Sequence, residues 1–456
     1  MASATPDSPP APAAAPRIGG PRLSSLAWKT LFAGLLLREA FSFWTGHPYD
    51  FEIWIRTGFA VAHGQNPYAF WPPVPGVSIA YYHQTLPSAS YLPFWPLLLG
   101  GLYRAWESVG FGNRFVLYFL LKQPSILGDV LVAYLLYRVV DAWGGGAVRA
   151  RAALTFWSFF PYAIIVSAIW GQFDSLVVAL ILAAFLVTGP FERSVLYGVG
   201  IWVKWITAIY LPLEFFAARG WRRSYVLVAV LLPAAATALV FYAFGWGFTN
   251  LAAASASETR GGGGGMNWVG VITSGPVHPL LAAVSGVYFV LSYLWVPAVV
   301  VGGWVAARWF ATERPRECLR AIILVTALLL LFRWGLYEQY MVYLFALVLL
   351  DVIVFEPERR ALFRTIVVLA TVYLLFNNEF GIRFLAPLSP SVTQFTDALD
   401  GNAVFSVLRT VALIVLALLV TVTLVQIVVG YYRDELRPRP WVVGARLSRP
   451  LPPERS

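Results

Sequence analysis

Two carboxylates, Asp50 and Glu52, stand one residue apart in "GHPYDFEIW", directly after an apolar segment. A carboxylate beside a substrate hydroxyl can take its proton. On a regular helix, positions i and i+2 point about 200° apart, so the two acids share a substrate only if the chain is extended there. The plainer alternative is an acidic start to a surface helix, which the helix dipole favours. Further along, "AIWGQFDSL" offers Gln172 and Asp174, and Asp174 also suits the N-terminus of the following helix. "LKQPSILGDVLVAYLLY" places Lys122 and Asp129 seven residues apart. That is two helical turns, so both face one side at a separation of about 10 Å along the axis, and each needs another partner. "FRWGLYEQYMVYL" supplies Arg333, Glu338 and Gln339, and "LLFNNEFGIRF" supplies Asn377, Asn378, Glu379 and Arg383. Lys204 stands inside "SVLYGVGIWVKWITAIYLPLEFFAA", and Arg260 precedes a run of five glycines. Arginine forks and buried lysines are suited to an anionic ligand. A structural alternative pairs Lys204 with Asp129 as a brace.

These groups must be positioned by a strongly apolar chain. Of its 456 residues 59% are hydrophobic and 12% charged, and its mean hydropathy is +0.69. Soluble globular domains carry about twice that charge. The composition predicts an all-α polytopic membrane protein. The net charge of +10 is dispersed between apolar segments, as the loops of a membrane protein require. It does not gather on one face, which argues against nucleic-acid binding. Cys318 is the sole cysteine, so neither an intrachain disulfide nor a cysteine cluster for a metal is available.

Apolar runs predict spans over 24–45, 114–139, 152–170, 174–190, 224–244, 279–307, 320–335, 340–355, 362–380 and 404–431. Arg149, Arg151, Arg193, Arg219, Arg222, Arg223, Arg308–Arg320, Arg359, Arg360 and Arg364 fall on alternate loops. That asymmetry predicts cytoplasmic termini, with 1–23 and 432–456 as tails, and extracytoplasmic segments at 46–113 and 245–278. Both ends of 195–218 favour the cytoplasm, yet two full spans need roughly 40 residues. A re-entrant helical hairpin with Lys204 near its apex solves this; a single crossing span is the alternative. Residues 50–64 read as an amphipathic surface helix stopped by Asn66-Pro67, and the stretch around 91–106 as a second interfacial element. Charged and amide groups at membrane depth are costly and tend to be functional. Here they collect on the predicted outer side, which points to an outward-facing site.

The order of these features (an acidic pair opening a long outer loop, "GQNPY", a span with Lys and Asp, "GQFD", a Lys-centred hairpin, then "YEQY") resembles the GT-C superfamily of integral-membrane glycosyltransferases over roughly 30–430. It is most similar to the polyprenyl-phosphate-mannose-dependent mannosyltransferases, of the glycolipid-anchor type and their prokaryotic relatives. Tyr337 stands where such relatives often have His. The resemblance implies a bundle of about 10–12 transmembrane helices. It implies transfer of a hexose, mannose first, with inversion, from a polyprenyl-phosphate sugar to a hydroxyl on a glycan, glycolipid or protein. It implies Asp50 and Glu52 as the catalytic acids. Lys204, Arg333, Arg260, Glu338, Gln339, Gln172, Asp174, Lys122, Asp129 and Asn378 would then bind substrate at the outer face of the plasma membrane. No metal site is predicted, although some relatives with acidic pairs use a divalent ion. A transporter for a lipid-linked or anionic substrate would also explain charges within the membrane. Transporters are usually built from paired halves with matching broken helices, and the chain shows no such repeat.

Overall fold

The computed structural model describes residues 23–69, 71–79, 91–110, 112–252, 265–274 and 285–436. Among these residues the regular elements are helical and no strand occurs, as the composition predicts. The first helices are α1 (Ser25–Ser42), α2 (Pro48–Ala62), α3 (Phe94–Val109), α4 (Arg114–Ala142) and α5 (Gly146–Ser158). They are followed by α6 (Pro161–Trp170), α7 (Asp174–Ala184), α8 (Pro190–Val203), α9 (Trp205–Ala217) and α10 (Tyr225–Phe244). After these come α11 (Trp268–Ser274), α12 (Ser285–Tyr293), α13 (Trp295–Trp309), α14 (Pro315–Phe332) and α15 (Met341–Val354). The last three are α16 (Arg360–Asn377), α17 (Pro390–Gly401) and α18 (Ala403–Leu436).

Five segments are long and apolar enough to cross a membrane alone: Arg114–Ala142, Gly220–Phe244, Val290–Trp309, Pro357–Asn377 and Ala403–Tyr432. The pair α5–α6 makes a sixth, bent by 46° at Phe159-Phe160. Pro161 sets that break, because it cannot continue the hydrogen-bond ladder of α5. The other predicted spans coincide with helices that are shorter or more charged. α1 carries Lys29, Arg38 and Glu39, and α14 opens on Arg316, Glu317 and Arg320. α15 has only 14 residues, and Met341 through Val352 are all buried. A helix enclosed by protein need not match the thickness of a bilayer, which is why its apolar run is short.

α2 begins at Pro48, two residues before the predicted start, capped by His47. It lies closely on α3: a Cβ on Gly58 would come within 3.1 Å of the Leu99 carbonyl oxygen, and Gly100 leaves room for Val61. The chain turns back on itself at Lys204, where the backbone is extended (φ −159, ψ 126) between α8 and α9. The two arms are tied by Arg193 to Glu214 at 3.3 Å and by the Thr207 hydroxyl donating to the Tyr197 carbonyl at 2.9 Å. A Cβ on Gly200 would strike Thr207 at 2.6 Å, so glycine permits the arms to close.

The bundle has two chemically distinct ends. At one, Trp143 packs on Phe185 and Phe355, Arg320 pairs with Glu356, Arg359 with Asp351, and Trp309 packs on Tyr432. This end gathers the arginines that open α5, α8, α14 and α16. The start of α2, the end of α6, the α14–α15 turn and the end of α16 meet at the other.

Candidate functional site

At that second end, Asp50 lies in the first turn of α2, with about a quarter of its side chain exposed. Its Oδ2 accepts hydrogen bonds from Trp170 Nε1 at 2.7 Å and from Gln172 Nε2 at 3.0 Å. Both donors come from the end of α6, where the helix widens into a π-helix over Ile165–Trp170. Such widening shifts side chains at a helix end and is frequent at functional sites. Gly171 (φ +95) then reverses the chain and turns Gln172 toward Asp50. That left-handed conformation is open to glycine at no steric cost. His47 packs beside the pair, 5.1 Å from the Trp170 ring, and its Nδ1 accepts the Asp50 backbone N–H at 3.4 Å. Burial holds the His47 pKa below its ordinary value, and the nearby Arg383 lowers it further, while Asp50 acts in the opposite direction. The Nδ1 of the ring therefore caps α2 as an acceptor, and among the described residues no lysine or arginine pairs with Asp50.

Glu338 enters from the α14–α15 turn and is buried. Asn377, at the end of α16, donates to its Oε1 at 2.6 Å, and the Tyr162 hydroxyl of α6 holds its backbone carbonyl at 2.7 Å. Burial pushes the Glu338 carboxyl up to about 7, and the Asp50 charge adds to this against the Asn377 hydrogen bond and Arg409. The two carboxyl groups thus face one region, and Glu338 holds its proton more tightly than an ordinary glutamate. The same turn carries Arg333, whose guanidinium lies 4.2 Å from the Tyr340 ring centre and 4.6 Å from that of Trp205. Its Nη1 is buried without a hydrogen-bond partner. Asn267 fixes the turn by donating to the carbonyls of Leu330 and Arg333, each at 2.8 Å. The amide oxygens of Gln172 and Gln339 are also buried without partners.

The sequence grouping is brought together only in part. Gln172 is hydrogen-bonded to Asp50, Glu338 lies within electrostatic reach of Asp50, and Gln339 and Arg333 belong to the turn that carries Glu338. Glu52 does not join Asp50, because α2 is already regular at both positions and turns them to different sides. Glu52 is fully buried, paired with Arg56 at 2.6 Å and accepting the Ile79 N–H at 2.7 Å, so it clamps 71–79 onto α2. Lys204 and Asp174 bind each other at 2.9 and 3.0 Å, with the Tyr343 hydroxyl on Asp174 at 2.7 Å. Neither side chain of that pair is exposed. Asp129 does not pair with Lys204. It takes Arg38 at 2.7 Å, Trp157 Nε1 at 2.7 Å and Ser167 at 3.0 Å, a brace across α1, α4, α5 and α6. Lys122 donates to the carbonyls of Thr45 and Ala168 and to the Thr45 hydroxyl, closing the end of α6. Asn378 turns back to the Leu374 carbonyl, and it is Asn377 that reaches Glu338. Arg260 lies outside the described residues.

Trp170, His47, Tyr162 and Asn267 contribute to the site but were not singled out in the sequence. Trp170 was readable only as the residue beside Gly171, and Asn267 as a lone polar residue after the glycine run. Among the described residues, no three His, Cys, Asp or Glu side chains gather as a metal site would require.

The model of glycosyltransferase family 87 matches residues 84–333, more than half of the chain. The chain belongs to glycosyltransferase family 87. No curated protein matches it. The matched span includes Gln172, Asp174, Lys204 and Arg333, whereas Asp50, Glu338 and Asn377 flank it and join the site only through folding. A family 87 glycosyltransferase binds a sugar donor and an acceptor, and its helices make it a multi-pass membrane protein.

Proposed function

We propose that this glycosyltransferase moves a hexose, mannose first among the candidates, from a polyprenyl-phosphate donor to a hydroxyl acceptor with inversion. The observation that carries this reading is the Asp50 carboxylate, held on one oxygen by Trp170 and Gln172 with no lysine or arginine paired to it among the described residues. A hydroxyl acceptor loses its proton as it attacks, and an oriented carboxylate is the base for that step. Direct displacement needs one base and no covalent sugar intermediate, and Asp50 alone meets that need. The departing phosphate requires positive charge. Arg333 supplies it: its guanidinium is buried against two rings and has no carboxylate partner among the described residues. A diphosphate would call for more cations than this, so the donor is a lipid monophosphate.

The test is transfer by the purified full-length protein from a panel of polyprenyl-phosphate hexoses, with release of the lipid phosphate as the readout. Arg333→Gln raises the donor KM about 10-fold or more and leaves the acceptor KM near wild type. Movement of the lipid-linked sugar across vesicles without its cleavage would favour a transporter instead.

The site is proposed to face the extracytoplasmic side, since the opposite end of the bundle holds the arginines. On a Cys318→Ser background, an impermeant thiol reagent added outside intact cells labels Ser78→Cys and leaves Arg222→Cys unlabelled. Labelling of position 78 only from the cytoplasmic side reverses the orientation.

A further inference from the structure

Beyond Asn377 the chain enters the short helical segment Glu379–Leu385 by an unusual path. Glu379 (φ +43) and Phe380 (φ +60) are both left-handed, and Gly381 (φ +85) follows them. No other non-glycine among the described residues has a positive φ. That conformation is costly for a residue with a side chain and persists only where its surroundings enforce it. Here charge enforces it. Glu379 is fully buried and pairs with Arg383 and, at 2.7 Å, with Arg409 of α18. Both arginines also pair with Asp400 of α17, Arg383 at 2.7 Å. Two acids and two arginines from three elements thus close a circuit of ion pairs.

The segment held in this way touches the supports of both carboxyl groups. On one side, Arg409 Nη2 donates to the Asn377 carbonyl at 2.8 Å, and the Asn377 amide is the donor to Glu338. On the other, the Phe384 ring centre lies 5.6 Å from that of Trp170 and 6.0 Å from that of His47. Trp170 holds the Asp50 carboxylate, and His47 caps the turn that carries it. The Phe384 carbonyl accepts the Gly46 N–H at 2.8 Å, directly ahead of that cap. A lock that only fastened α18 to α16 would not need a costly backbone between them. Residues 377–409 also lie outside the span that the family model matches.

We propose that Arg409 is a positioning residue for transfer: with Glu379, Arg383 and Asp400 it enforces the left-handed turn at 379–381, and that turn sets Asn377 against Glu338 and Phe384 against the Trp170 and His47 rings that support Asp50. This rests on Asp50 being the base. Arg409 touches neither substrate in this scheme. A reacting carboxylate loses rate steeply when it is displaced by a fraction of an ångström, so the network acts on kcat more than on the KM of either substrate.

The experiment uses the full-length enzyme with the polyprenyl-phosphate hexose that supports turnover, and reads kcat, both KM values and thermal unfolding. Arg409→Lys keeps the charge but loses the fork that reaches Asn377, Glu379 and Asp400 together. It lowers kcat about 10-fold or more and leaves both KM values near wild type. Arg359→Lys is the control: it loosens the ion pair with Asp351 at the opposite end of the bundle and keeps kcat at a comparable loss of thermal stability. Phe380→Gly separates positioning from simple fastening, because glycine takes the left-handed turn at no steric cost. Added to Arg409→Lys, it raises kcat by about 3-fold or more, since the turn no longer needs enforcing. Asp400 is partly exposed, so Asp400→Asn weakens the same circuit more gently and lowers kcat in the same way should Arg409→Lys fold poorly. A folded Arg409→Lys enzyme with wild-type kcat, an equal loss of kcat in Arg359→Lys, or no recovery from Phe380→Gly overturns the inference. If Asp50→Asn is inactive while Arg409→Lys and Asp400→Asn keep a wild-type kcat, the positioning network falls and the base stands. If Asp50→Asn turns over normally, or the wild type transfers no hexose to any hydroxyl, both fall together.

Discussion

Asp50→Asn lowers turnover by about 10²-fold or more and leaves the thermal unfolding of the protein close to wild type. The substitution isolates the chemistry well. An asparagine at position 50 still offers an oxygen to Trp170 Nε1 and Gln172 Nε2, so the two hydrogen bonds that orient it survive. The backbone N–H still reaches His47, so the cap of α2 is unchanged. What disappears is the lone pair basic enough to take a hydroxyl proton, and both KM values should move little beside kcat. The contrast is Glu52→Gln. Glu52 is buried in the clamp formed with Arg56 and Ile79, away from Asp50, so its loss acts through folding of the 71–79 segment. The measurement is turnover at saturating donor and acceptor, alongside an unfolding curve. A folded Asp50→Asn enzyme with near-normal turnover removes Asp50 from the chemistry.

Why Asp50 and Glu52, one residue apart in the sequence, part company in the structure is a matter of helix start. The acidic pair was visible, and so was the amphipathic helix after it. The two assignments differed by where the first turn begins. Pro48 at the first helical position makes both acids helical, and a regular helix separates i from i+2. The membrane helices were legible because apolar runs of that length have few other uses. Arginines at both ends of 195–218 argue that the segment returns to the side it left, and Arg193 with Glu214 ties its two arms together. Partner choice was not legible. Arg38, one turn before the end of α1, reads as an ordinary interfacial arginine, yet it takes Asp129 and the carbonyls of Trp157 and Ser158. Nothing in the spacing of positions 38 and 129 announces that they meet. Asn377 and Asn378 are adjacent and of one type, and only the end of α16 decides which amide faces Glu338.

The same uncertainty of partners governs Lys204, for which the structure makes a large and different prediction. A lysine deep in an apolar chain suggests a phosphate site. Here both Asp174 oxygens lie within 3.0 Å of its Nζ, and the rings of Tyr340, Phe173 and Tyr91 surround it at 4.9, 5.1 and 5.4 Å. To hold a phosphate it would have to release Asp174 inside this enclosure. Lys204→Met therefore acts first on stability, leaving Asp174 buried with the Tyr343 hydroxyl as its one remaining side-chain partner among the described residues. Breaking a buried pair in this way costs about 3–5 kcal/mol, whereas replacing both partners with apolar residues is often neutral. The double variant Lys204→Met with Asp174→Leu should recover a substantial part of the loss in thermal unfolding, although Tyr343 then lacks its acceptor. At a temperature where both variants are folded, the donor KM of the double variant stays within a few-fold of wild type, while Arg333→Gln raises it about 10-fold. Tyr340 makes the comparison informative, because its ring contacts both cations and keeps Arg333 packed when Lys204 is gone. A Lys204→Met protein of wild-type stability with a selectively raised donor KM would return the phosphate to Lys204 and make Asp174 its resting counter-ion.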